Sequence, residues 1–74
     1  RTVYLYTPRG YSPGYVYADF DDAVVHLLRD ENMESVSDLI LELDEWGVWH
    51  DIDVEGRVFS IDDGSHIEQI EFYE

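Results

Sequence analysis

The stretch Val48-Trp49-His50-Asp51-Ile52-Asp53-Val54-Glu55-Gly56-Arg57-Val58-Phe59-Ser60-Ile61 decides the fold, because its residues alternate in character with a period of two. Val48, His50, Ile52 and Val54 alternate with Trp49, Asp51, Asp53 and Glu55, the pattern of a strand with one covered face. Glu55-Gly56 supplies a turn, and Arg57 to Ile61 is predicted to pair back as a second strand. A further turn at Asp62-Asp63-Gly64-Ser65 leads into Ile67 to Tyr73, which completes an antiparallel meander.

Upstream the period lengthens to that of a helix. Ser35 with Asp38 forms a capping signature ahead of Val36, Leu39, Ile40, Leu43 and Trp46, which fall on one stripe. Gly47 stands where a left-handed C-terminal cap belongs. Asp19 with Asp22 repeats the signature for Phe20, Ala23, Val24, Leu27 and Leu28, and the polar stretch Arg29 to Glu34 separates the two helices. Before them, Thr2 to Thr7 reads as a strand with Val3 and Leu5 on one face and Tyr4 and Tyr6 on the other. Pro8 ends it, a Pro/Gly loop runs to Gly14, and Tyr15-Val16-Tyr17 returns as a second strand. The predicted fold class is α+β, in the order β(β)ααβββ: an antiparallel β-sheet of about three to five strands with two short helices packed on one face. Residues 1–74 form a single small acidic domain.

Charge is the second informative feature. The 74 residues carry a formal net charge of −14, and all 18 carboxylates lie after residue 18. The first eighteen residues hold Arg1, Arg9 and five tyrosines but no acid, and the chain has no lysine. An apolar content of 45% is too high for a disordered acidic tail, so the chain folds against its own repulsion. Such a field repels nucleic acid and membrane surfaces and attracts basic protein surfaces, of which nucleic-acid-binding sites are the commonest large ones. With no cysteine, neither a disulfide nor a thiolate zinc site can reinforce the modest core. No apolar run approaches the ~18–20 residues of a membrane span and no signal segment opens the chain, so a cytoplasmic protein is expected.

The acids fall in rows. Asp38, Glu42 and Glu45 are spaced i, i+4 and i+7 along the second helix, where like charges destabilise by about 0.2–0.5 kcal/mol per pair. On the following strand Asp51, Asp53 and Glu55 share a face, and Asp21 and Asp22 open the first helix. Ordinary surfaces mix signs, whereas these positions carry one sign only. The spacing from Asp51 through Asp53, Glu55 and Gly56 to Asp62 resembles an EF-hand calcium loop. That resemblance implies oxygen ligands for a cation, but Asp62 stands where the family has a long bidentate Glu and β-type sequence flanks the loop. The alternation through all three acids favours a plain hairpin, and no metal site is assigned.

His26, His50 and His66 share no ligand or nucleophile spacing, no phosphate-binding glycine loop occurs, and only four cations exist to stabilise an anionic transition state. A non-enzymatic protein without cofactor is expected. The reading that follows is a small acidic inhibitor or decoy, of the kind encoded by phages and mobile elements, mimicking nucleic-acid phosphate charge to block a host anti-phage defence or transcription protein. Asp21, Asp22, Asp38, Glu42, Glu45, Asp51, Asp53 and Glu55 are the candidate acidic contacts with basic residues of a nucleic-acid-binding partner. Tyr4, Tyr6, Tyr11, Tyr15 and Tyr17 are candidate aromatic contacts, since tyrosine offers large area at little rotamer entropy. Direct nucleic-acid or membrane binding is not expected, and a homodimer is left open. The alternatives are a haloarchaeal housekeeping domain with a salt-adapted acidic surface, or an acidic antitoxin-like subunit. Against the haloarchaeal reading, alanine occurs only twice and the first eighteen residues lack acids.

Overall fold

The computed structural model describes residues 1–10, 14–62 and 64–73. Seven elements follow in chain order: β1 (Thr2–Thr7), β2 (Tyr15–Tyr17), α1 (Phe20–Asp30), α2 (Val36–Trp46), β3 (His50–Asp53), β4 (Val58–Ile61) and β5 (His66–Glu71). The five strands form one antiparallel sheet in the order β2-β1-β5-β4-β3. The meander is thus extended by pairing the first strand with the last, in a register that sets Thr2 opposite Glu71 and Thr7 opposite His66.

Local chemistry explains the boundaries. Ser35 Oγ accepts a hydrogen bond of 3.1 Å from the Asp38 amide, satisfying one orphan donor of α2, and Gly47 at φ 68° closes its other end. Asp19 occupies the corresponding place ahead of α1 without a side-chain cap bond. At the far end of α1, Asn32 takes φ 57° and the Met33 amide reaches back to the Leu28 carbonyl at 2.9 Å, which turns the chain toward α2.

The hairpin between β3 and β4 differs from a two-residue Glu-Gly turn. Four residues, Val54 to Arg57, connect the paired Asp53 and Val58, and the left-handed conformation falls on Arg57 at φ 57°. Asp53 Oδ1 accepts from the Gly56 amide at 3.1 Å, and a Cβ at Gly56 would lie 2.7 Å from Asp53 Oδ2. A side chain here would displace the Asp53 carboxylate from the Gly56 amide.

Both helices cover one sheet face. Tyr4, Tyr6, Phe59, Ile61 and Ile67 meet Phe20, Ala23, Val24 and Leu27 of α1 and Leu39 and Leu43 of α2 in a single buried cluster. The Tyr4 and Phe20 rings meet edge to face at 5.5 Å. Burial of each large side chain in this cluster stabilises by about 1.5–3 kcal/mol. The other sheet face has no helix. It carries Val3, Leu5, Val16 and Ile70 toward β2, and Glu68, Asp51 and Asp53 toward β3.

Candidate protein-docking surface

Seven of the eight candidate carboxylates, Asp21, Asp22, Asp38, Glu42, Glu45, Asp51 and Glu55, make no hydrogen bond or ion pair with any described residue of the chain. All are exposed except Glu42, which is half-buried. The eighth, Asp53, caps the hairpin turn. Other acids are engaged internally: Asp30 accepts from the Tyr6 hydroxyl at 2.7 Å, Glu31 from Ser65 Oγ at 3.1 Å, and Glu71 from Thr2 Oγ1 at 2.9 Å. The chain therefore divides its carboxylates into structural and unpartnered sets.

Their placement departs from the periodicity in two ways. Glu42 lines the same groove as the buried Leu39 and Leu43, so this member of the α2 row borders the apolar stripe while Asp38 and Glu45 are exposed. Glu55 lies in the turn, beyond the end of β3, and lines a depression of about 460 Å³ with Asp21, Asp22 and Arg57. It does not continue the Asp51–Asp53 row. The structure instead joins it to the start of α1, which sequence spacing had not linked to it.

The tyrosines are largely structural. Tyr4 and Tyr6 are buried, Tyr6 completely, so their rings are not available as contact area. The strand alternation presents them to the helices, and the core there has need of large residues. Tyr15 stacks on Tyr6 with centroids 6.1 Å apart and remains half exposed, while Tyr17 is partly buried. Tyr11 lies outside the described residues. His26 ties this region together: its Nε2 is 3.4 Å from Asp30 Oδ2, its Nδ1 is 2.5 Å from the Tyr17 hydroxyl, and its ring contacts Tyr6 and Tyr15 edge to face. Through these contacts the array pins β2 onto α1. Burial first, and then the hydrogen bond to Asp30, push the Tyr6 hydroxyl pKa above its ordinary value.

Two tryptophans, outside the candidate set drawn from the sequence, are exposed. Trp46 belongs to the α2 stripe by periodicity yet leaves 69% of its surface exposed, and Trp49 leaves 61%. Both lie among unpartnered carboxylates, with Glu42 and Glu45 before them and Asp51 after. The signal readable in the sequence is the placing of both tryptophans within a few residues of acids. Among the described residues no three His, Asp or Glu side chains converge as a metal site, and Asp51 to Asp62 folds as a hairpin. No described helix is long and apolar enough to cross a membrane. The chain matches no known protein family, no curated protein and no solved structure.

Proposed function

We propose that this protein is a small inhibitor or decoy that presents carboxylates in place of nucleic-acid phosphates to the basic site of a DNA- or RNA-binding protein. The observation that carries this reading is the set of seven carboxylates without partners among the described residues, the α2 and β3 members of which flank two exposed tryptophans in sequence. Leaving like charges unrelieved opposes folding, so their retention is explained if a partner supplies the opposite charge. The action is steric and electrostatic: arginine and lysine side chains of the target engage the carboxylates, and the tryptophans add desolvated contact area. Phage or mobile-element origin, action in the host cytoplasm, and a defence or transcription target belong to the same proposal.

The test is competition. A target isolated on the immobilised protein is expected to be a nucleic-acid-binding protein, to be released by its own nucleic acid, and to dissociate steeply with added salt. The free protein is expected to leave duplex and single-stranded DNA unshifted in a gel. Simultaneous binding of nucleic acid and this protein to the target overturns mimicry and leaves a generic acidic partner, as in the antitoxin-like alternative. Unfolding in dilute buffer, reversed only at molar salt, assigns the acids to salt adaptation instead.

A further inference from the structure

We infer that the groove between the end of α1, helix α2 and the segment after β4 is a receptor for a single arginine side chain of the partner. This inference rests on the reading that the acidic surface meets a basic protein, and it names the contact on which that meeting centres. The groove encloses about 220 Å³, room for one large side chain. Its apolar lining is made by Leu39, Leu43 and Val48, and Trp46 lines it while remaining largely exposed. Glu42 and Asp62 add two carboxylates that have no partner within the described chain.

These features match the parts of an arginine. The methylene stem lies well on an apolar floor, and the planar guanidinium stacks on an indole face. Its fork of N–H donors suits carboxylates, which a lysine ammonium meets only as a point charge. Glu42 is the most informative member: it is half-buried, stands beside buried leucines, and makes no ion pair with any described residue, the Arg9 guanidinium in the same groove being paired with Glu31. A half-shielded carboxylate of this kind gains more from an incoming cation than one surrounded by water.

The chain itself supplies a precedent. Arg9 reaches this groove from the loop after β1, and its guanidinium lies 3.4 Å from Glu31 at the same rim. Glu31 is held in place by Ser65, so one arginine-binding carboxylate is already positioned. The intramolecular arginine engages the Glu31 side and leaves Glu42, Asp62 and the face of Trp46 for a second one. An occupant of opposite charge also fits the molecule better than a second copy, which would bring another net charge of −14 to the contact.

The test uses short peptides on the intact protein. Uniformly labelled protein is titrated with acetyl-Gly-Arg-Gly-amide and with the matching lysine peptide, and backbone and indole resonances are followed. The arginine peptide is expected to give saturable shifts centred on Leu39, Glu42, Leu43, Val48 and the Trp46 indole. The amides of Asp21, Asp22 and Glu55, in the separate acidic depression, serve as the internal control and are expected to move little. The lysine peptide is expected to bind about three- to fivefold more weakly, because it lacks the stacking and the fork. Glu42→Gln and Trp46→Ala, both altering surface groups, are each expected to weaken the arginine peptide by a similar factor with the fold unchanged.

Equal, unsaturated shifts at every acidic position, equal binding of the two peptides, or full binding by Glu42→Gln would each overturn the groove assignment. None of those results touches the mimicry reading, which needs only an acidic surface. Conversely, saturable arginine binding together with a target that is not displaced by nucleic acid leaves the groove standing and removes the mimicry.

Discussion

The acid-free first eighteen residues and the acidic segment from α2 into β3 treat their aromatic side chains in opposite ways. In the first region Tyr4 and Tyr6 are buried and Tyr17 is bonded to His26, so aromatic area is used to build the molecule. In the second, Trp46 and Trp49 stand largely in solvent, with acids as their neighbours in sequence. Exposed apolar area invites indiscriminate association, and a surrounding field of one sign limits that association to partners of the other sign. The contrast teaches that the charged region, and not the region richest in tyrosine, leaves its largest aromatic side chains in solvent.

The largest expected effect lies in the tyrosine region. Tyr6→Ala removes a fully buried ring and is expected to lose about 3–5 kcal/mol, a large share of the stability of so small a domain, in urea unfolding. Trp49→Ala is expected to remain within about 0.5 kcal/mol of the parent. Equal losses for the two would erase the contrast. His26→Ala removes the bond to Tyr17 and the edge-to-face contacts with Tyr6, Tyr15 and Tyr17, and is expected to cost about 1–2 kcal/mol. Amide exchange is expected to accelerate first in β2, and uniform acceleration across the sheet would show that His26 does not specifically hold that strand.

The raised pKa of Tyr6 sharpens the same comparison through pH. A group held protonated by the fold contributes stability that is complete below its unfolded pKa near 10 and declines as pH rises beyond it. Thermal midpoints are therefore expected to fall above about pH 10. Replacement of Tyr6 by Phe is expected to flatten that part of the profile, whereas an unchanged slope would assign the alkaline loss elsewhere. The smallest effect concerns the acid row. Glu42→Lys converts a repulsive i,i+4 pair with Asp38 into an attractive one and is expected to raise stability by about 0.4–1 kcal/mol, while weakening the partner contact. Parallel changes in stability and binding would refute the division between structural and unpartnered carboxylates.

Elements governed by neighbours along the chain were legible in the sequence. Ser35, Asp38 and Gly47 bound α2 through local bonds, and the alternation from His50 to Ile61 specified the hairpin. Features set by distant contacts were not legible. The turn residue that takes positive φ is Arg57 because Asp53 reaches back to Gly56, an arrangement that a Glu-Gly dipeptide does not announce. Trp46 lies on the apolar stripe, but periodicity gives a direction and not the distance to which neighbouring elements extend. The burial of Tyr4 and Tyr6 likewise depended on which sheet face the helices cover. The exposed acids could be placed on their elements from spacing alone, whereas the junction of Glu55 with Asp21 and Asp22 required the tertiary fold.

The pairing of β1 with β5 also sets the order in which the molecule can be assembled on a ribosome. β1 is synthesised before β5, yet its place between β2 and β5 is completed only when β5 has left the exit tunnel. Until then the nascent chain can form its helices and local hairpins, but the inner edge of β1 stays unpaired and the closing contact spans nearly the whole sequence. Arrival of β5, and not synthesis of any earlier element, is therefore the step that completes the sheet.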